Sequence, residues 1–260
     1  MATIRIGETD FFYECRGKGT PLVLIAGYSC DHTFWDAIYD ELTQHFQVLI
    51  FDNRGIGQTI DETSTISIDS MAQDTMQIVK ALDLKRPIIL GQSMGGTIAQ
   101  TIARDYGSDI EKLIILNSST SINQRTRMVL ASLLKLYEEK AAFDTLIEAS
   151  MPWFFSAQYL ADPKNIAAYK EICMNNPYPP SPEILRRQLQ ALNNFNSHLW
   201  VNNIQMPTLV IASEDDIVCL PAESEQLASH IKRAKYLKIA GGHSSPLENP
   251  HDLIEAIMTI

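Results

Sequence analysis

The chain has 260 residues, with 21 Lys+Arg against 31 Asp+Glu, a formal net charge of -10 and 45% hydrophobic residues. That length suits one large domain, or a domain with an inserted lobe, and the acidity argues against a nucleic-acid binder, which needs a basic face. No apolar stretch is long enough to span a membrane, the start MATIRIGETDFF lacks the basic and apolar regions of a signal peptide, and Cys15, Cys30, Cys173 and Cys219 are too scattered for a disulfide framework or a CxxC metal site. A cytoplasmic protein with reduced thiols is the expectation.

In chain order, Ile4 to Ile6 and Phe11 to Cys15 read as two strands joined by a hairpin at Gly7-Glu8. Pro21 to Ala26 is an unbroken apolar run stopped by Gly27, and Gln47 to Asp52 is another, stopped by Asn53-Arg54-Gly55. Ile88 to Leu90, Leu113 to Leu116, Thr208 to Ala212 and Tyr236 to Ile239 complete the set. Runs that are apolar on both faces suit buried strands of a parallel sheet. Helical spacing falls between them, at Thr33 to Leu42, Ile68 to Leu82, Gly95 to Asp105, Glu223 to Ile231 and Pro250 to Ile257. Strands alternating with helices mean an α/β architecture.

The alternation breaks once, between about Ser121 and Trp200. There the helical run MVLASLLKLYEEKAAFDTLIEA leads to the cluster Pro152-Trp153-Phe154-Phe155, then to the loop NNPYPPSPE and the amphipathic run ILRRQLQALNNF. Pro152 is expected to open a new helix or turn. Residues 121–200 read as an all-helical insertion, and residues 1–120 with 201–260 as the sheet domain that carries it.

The segment PIILGQSMGGTI sets a serine between glycines where a strand passes into a helix. A serine hydroxyl is a weak nucleophile until a base removes its proton, and it must be exposed at a strand end to meet a substrate. Gly91-Gln92-Ser93-Met94-Gly95 provides that exposure through a tight, strained turn, with helix N–H groups directly behind it. In such a setting the orienting acid and then the base follow later in the chain. Of His32, His45, His198, His230, His243 and His251, only the last three follow a plausible acid. His230 and His251 lie in helical stretches. His243 lies in the loop IAGGHSSPLENP after the last strand, where a base belongs. The strand end LVIASEDDIVCLP offers Glu214, Asp215 and Asp216 as the acid.

Four motifs in order, LVLIAGYSCDHTFW, FDNRGIGQT, GQSMGG and the pair ASEDDIVCLP with GGHSSPLENP, resemble those of the α/β-hydrolase fold family. The resemblance covers nearly the whole chain outside the insertion. It implies a mostly parallel eight-stranded sheet flanked by helices, with residues 121–200 as a helical cap. It implies catalytic Ser93, Asp216 and His243, and an oxyanion hole formed by the backbone N–H groups of Tyr28 and Met94. Two departures stand out. Ser213 replaces the usual glycine of the acid motif, and Pro221 falls one residue later than is common, which leaves Asp215 as an alternative acid. Ala26-Gly27 replaces a frequent His-Gly pair. Arg54 is expected to brace loops, and Trp153, Phe154 and Phe155 either line an acyl pocket or form the cap's own core.

The function implied is a serine hydrolase, without metal or organic cofactor, cleaving a carboxylic ester of a small molecule or of a carrier-linked acyl group. The same scaffold also runs carbon–carbon bond hydrolysis, enol-lactone hydrolysis and cofactor-free haloperoxidation, and it serves as a non-enzymatic signal receptor. Within 121–200, eight Lys/Arg face seven Asp/Glu, so the acidity lies in the sheet domain. A less acidic cap is one way to dock an acidic acyl carrier, although such charges are commonly a solvated face.

Overall fold

The computed structural model describes residues 2–61 and 65–260. Among these residues, eight strands form one sheet in the order β1 (Ala2–Ile6), β2 (Thr9–Arg16), β4 (Gln47–Phe51), β3 (Pro21–Ile25), β5 (Ile88–Gln92), β6 (Lys112–Leu116), β7 (Thr208–Ser213) and β8 (Ala234–Ile239). β1 and β2 are antiparallel, turning at Gly7 with φ 59°, and β2 also pairs antiparallel with β4. Every other pairing is parallel.

Strand periodicity explains the layers. In β3, Leu22 and Leu24 point to one face, where they meet α1 (Asp36–Leu42) and the C-terminal helix; Val23 and Ile25 point to the other, toward α2 (Ile68–Ala81) and α3 (Met94–Asp105). β5 repeats the pattern, with Ile88 and Leu90 on the first face and Ile89 on the second. A strand covered on both faces has no solvent side, which is why these runs are continuously apolar. The first turn after β3 is a 3-10 turn, His32–Trp35, so α1 begins at Asp36 rather than at Thr33.

Between β6 and β7 the chain runs through α4 (Gln124–Glu138), α5 (Phe143–Phe154), α6 (Ala157–Leu160), α7 (Pro163–Met174) and α8 (Pro182–Asn194). The run from Met128 to Ala149 is two helices, not one. α4 ends at Glu138, and Lys140, two residues on, takes φ 59° while its amide donates to Tyr137 O. Pro152 does not open a helix either; it sits in the last turn of α5, where the chain keeps helical geometry for two more residues. The insertion is itself divided. Leu130 and Leu134 of α4, with Ile184, Leu185, Leu189 and Leu192 of α8, join the main core, whereas Ile147, Met151 and Phe155 form a separate small cluster. The chain finishes with α9 (Pro221–His230), α10 (Ser245–Glu248) and α11 (Pro250–Met258). No helix among the described residues is long and apolar enough to cross a membrane.

Candidate active site

Ser93 lies at the junction of β5 and α3 with φ 55° and ψ -116°, a left-handed conformation that costs a non-glycine residue on the order of 1–3 kcal/mol. The surroundings over-determine it. Ser93 N donates to Leu116 O at 2.9 Å, and Ser93 O accepts from Gly96 N at 2.9 Å and from Ser118 Oγ at 2.8 Å. Glycine is required on both sides: a Cβ on Gly91 would run into Gly95 O, and one on Gly95 into Ile25 O. The strain therefore sits where β5, α3 and β3 pack backbone to backbone, and it turns the Ser93 side chain out of the sheet.

His243 Nε2 lies 2.9 Å from Ser93 Oγ, and His243 Nδ1 lies 2.7 Å from Asp216 Oδ2. Asp216 and His243 are both buried. The carboxylate is fixed from its other side, where Oδ1 accepts from the amides of Val218 and Cys219, each at 2.8 Å. Its partner oxygen accepts the Nδ1 proton, so the Nε2 lone pair faces the serine hydroxyl. Asp215 is exposed, and its amide donates to Gly241 O at 3.0 Å. The offset before Pro221 thus leaves Asp216, not Asp215, in contact with the base. Cys219 is buried beside this carboxylate, and burial pushes its thiol well above the ordinary range.

The base sits on a loop that buried amides hold in place. Gln92 Nε2 and Asn117 Nδ2 both donate to His243 O at 3.1 Å, and Asn117 also donates to Ser245 Oγ at 3.2 Å. Asn117, at φ 47° just past β6, ties this loop to the acid strand: its Nδ2 donates to Ser213 Oγ at 2.9 Å and its Oδ1 accepts from Ser213 N at 2.8 Å. The serine standing at the usual glycine position therefore serves as a hydrogen-bond partner. Sequence reasoning passed over Gln92 and Asn117 because an amide after a strand carries no signal of what it will reach.

Met94 directly follows Ser93 at the start of α3, and Tyr28 directly follows Gly27 in the turn after β3. A Cβ on Gly27 would come 3.2 Å from Ser93 Cβ, so the turn after β3 lies against the nucleophile, and no described group accepts from the amide of Tyr28 or of Met94. The Tyr28 ring packs against the main core, and burial pushes its phenol upward. Gln188 of α8 pins this turn to the insertion by accepting from Ser29 N at 3.0 Å.

The three aromatics separate. The Phe154 ring lies 6.0 Å from the His243 ring. Phe155, for which an acyl pocket and the cap's own core were both open, is buried in the insertion's small cluster, 4.8 Å from Tyr159 and 4.6 Å from Tyr169. Phe155 follows the last residue of α5 in extended backbone, φ -120° and ψ 150°, so its side chain departs from the helical course that sets Phe154. Trp153 is half-buried next to them.

Donor atoms of Asp31, His32 and Asp52 lie within 4.8 Å of one another, the spacing of a metal site. They are already partnered. Asp52 Oδ1 accepts from His32 N and contacts His32 Nδ1 at 2.7 Å, Asp52 Oδ2 accepts from Gln58 N, and Asp31 accepts from Thr33 N and Asn176 Nδ2. Arg54 likewise braces the loops, donating to both oxygens of Asp74 at 2.9 and 2.6 Å and to Thr9 Oγ1 at 3.2 Å.

The family model described as alpha/beta hydrolase fold matches residues 20–250. The chain belongs to the alpha/beta hydrolase fold family. A relative from Caulobacter sp. (strain K31), named "Putative carbamate hydrolase RutD", is 26% identical over 242 residues, covering 91% of this chain and 88% of its own. A solved thermophilic esterase from Thermogutta terrifontis superposes with a TM-score of 0.87 at 24% identity, over 100% of this alpha/beta hydrolase and 97% of the esterase. The enol-lactonase from Burkholderia xenovorans LB400 superposes with a TM-score of 0.88 at 22% identity, over 99% and 98% of the two chains.

Proposed function

We propose that the protein is a serine hydrolase that cleaves a carboxylic ester of a small molecule through an acyl-enzyme on Ser93. The observation that carries this is the hydrogen-bonded row Ser93–His243–Asp216, with contacts of 2.9 and 2.7 Å. Ser93 Oγ attacks the scissile carbonyl while His243 Nε2 takes its proton. The N–H groups of Tyr28 and Met94 hold the oxygen as it becomes negative; one such donor is worth roughly 3–4 kcal/mol of barrier. Collapse of the tetrahedral intermediate expels the alcohol, which receives the proton from His243. Water then gives a proton to His243, attacks the acyl-enzyme and releases the acid and the free serine hydroxyl. Asp216 keeps the imidazole in the required tautomer and stabilises the imidazolium.

Helices α4–α8 act as a cap over this site, with Phe154 the aromatic that meets the acyl group; a ring beside the base excludes water and favours apolar chains. A carrier-linked acyl group reaches the same site if the cap docks the carrier. A second reading, carbamate hydrolysis, is supported by the RutD relative. The attack, oxyanion and proton steps are the same; the alcohol or phenol leaves with the proton from His243, and water then releases the carbamic acid from the carbamyl-enzyme. Carbon–carbon bond and enol-lactone hydrolysis use the same groups, and no observation in the site favours them. A complete base and acid row is unnecessary for a signal receptor and favours turnover.

The deciding experiment is a panel of p-nitrophenyl esters, an aryl carbamate, an enol-lactone and a vinylogous diketone, assayed with the wild type and Ser93→Ala. The ester reading expects the largest kcat/KM on an ester and a loss of several orders of magnitude in Ser93→Ala. Preferred turnover of another class, or undiminished turnover by Ser93→Ala, overturns it.

A further inference from the structure

Glu248 takes no part in the steps above, yet it lies between the base and the insertion. It ends α10, on the same loop as His243, and is half-buried. Its Oε1 accepts from Gly242 N at 2.9 Å, and both of its oxygens accept from Ser156 N at 3.2 Å. Gly242 directly precedes the base. Ser156 lies two residues past Phe154, where α5 gives way to α6. One carboxylate therefore receives an amide from each side of the junction. A neighbouring backbone bond reinforces it, since Ser244 N donates to Phe154 O at 2.9 Å. The packing there is tight enough to require glycine: a Cβ on Gly242 would fall 2.7 Å from Ser156 N and 2.8 Å from Glu248 Oε1. Leu247, the residue before Glu248, packs against the Ile147–Met151–Phe155 cluster.

A carboxylate suits this place for a physical reason. Buried amides must be paired, and the amides of Gly242 and Ser156 find in one another's element no carbonyl to accept them. A carboxylate has roughly four lone-pair directions and takes both donors as charge-assisted bonds. Burial raises its proton affinity, and the bonds from Ser156 and Gly242 oppose that rise.

We propose that Glu248 is a positioning residue that ties the cap segment 154–156 to the loop of His243, so that the base's alignment with Ser93 and the Phe154 ring beside it are set by one carboxylate. The kinetic consequence rests on the hydrolase reading above; the structural tie does not.

The test uses Glu248→Ala, Glu248→Gln and Gly242→Ala in the full chain, with two readouts. The first is backbone hydrogen exchange over residues 150–160 and 240–248. In Glu248→Ala both segments are expected to exchange faster together, because each loses its acceptor. The second is kcat and KM for acetyl and octanoyl p-nitrophenyl esters. Misalignment of a catalytic group by about 1 Å costs roughly a hundredfold in rate, so kcat for the acetyl ester falls by about that factor in Glu248→Ala. The octanoyl-to-acetyl ratio shifts as Phe154 moves. Glu248→Gln keeps one acceptor oxygen and falls between the wild type and Glu248→Ala in both readouts. Gly242→Ala, which forces the same contact apart, reproduces the Glu248→Ala pattern. Faster exchange in residues 240–248 alone overturns the tie to the cap. A lowered melting temperature with kcat and the chain-length ratio unchanged reduces Glu248 to a structural residue and overturns the positioning role. If the wild type cleaves no ester, the hydrolase reading has failed, and the exchange experiment still decides whether Glu248 joins the two segments.

Discussion

Phe155→Ala removes the ring at the centre of the insertion's small cluster. The ring is 4% exposed, stacks on Tyr159 at 4.8 Å with planes 12° apart, and meets Tyr169 edge-on at 4.6 Å and 70°. Truncating a buried Phe costs about 3–5 kcal/mol through lost transfer energy and the cavity left behind, and two aromatic partners put this site in the upper half of that range. For a chain of this size each kcal/mol lowers the melting temperature by roughly 2–4 °C, so a fall of about 10–15 °C is expected. Because Ile147 and Met151 are the cluster's other buried members, the loss should begin in α5–α7 and show calorimetrically as an early transition. The ratio of kcat/KM for octanoyl against acetyl esters should stay at the wild-type value. Phe154→Ala is the opposing control: its ring is half-buried and 6.0 Å from that of His243, so it should alter the ratio and change the melting temperature little. A Phe155→Ala protein that melts within about 3 °C of the wild type would refute the reasoning about the cluster. A shift in its chain-length preference would refute the division of roles between the two rings.

Two further outcomes follow from the geometry. Asp216→Asn should lower kcat by about four orders of magnitude, because an amide in that place no longer fixes the His243 tautomer, whereas Asp215→Asn, exposed and away from the ring, should stay near the wild type in the same ester assay. Burial alone would lower the pKa of His32, but the hydrogen bond and charge of Asp52, with Asp31 and Asp36, outweigh it, and the net shift is upward from 6.5. A raised histidine contributes stability that is complete below its unfolded pKa and is lost as pH rises through the folded one. Melting temperature should therefore fall as pH rises above 6.5 in the wild type, and His32→Gln should flatten that slope; an unchanged slope assigns it to other groups.

The central strands were legible because they are buried on both faces and punctuated by glycine or a polar turn, so period and length agree, as in Pro21–Ile25 and Thr208–Ser213. Ser93 was legible for the same reason, since its flanking glycines mark a close approach of three backbones. The insertion was less so. The Lys140 break looks in sequence like any charged helix end, and Pro152 reads as a helix start because proline favours the first helical turn, whereas it stands in the last turn of α5. Three adjacent aromatics cannot be sorted by periodicity alone, because helical spacing sends them to different neighbours and only the fold says which neighbour is the base. Asn117, Gln188 and Glu248 were invisible as partners of the site, each being joined to it across more of the fold than local spacing reports.

The central claim is that Ser93 is a nucleophile activated by His243. Its most direct test is reaction with a fluorophosphonate, in which the serine oxygen bonds to phosphorus, fluoride leaves and the proton passes to the base, followed by intact-mass and peptide analysis. The account predicts a single adduct, on Ser93 in the wild type, none in Ser93→Ala, and labelling slowed by orders of magnitude in His243→Gln. An adduct on another residue, or labelling of Ser93 at the wild-type rate in His243→Gln, contradicts it.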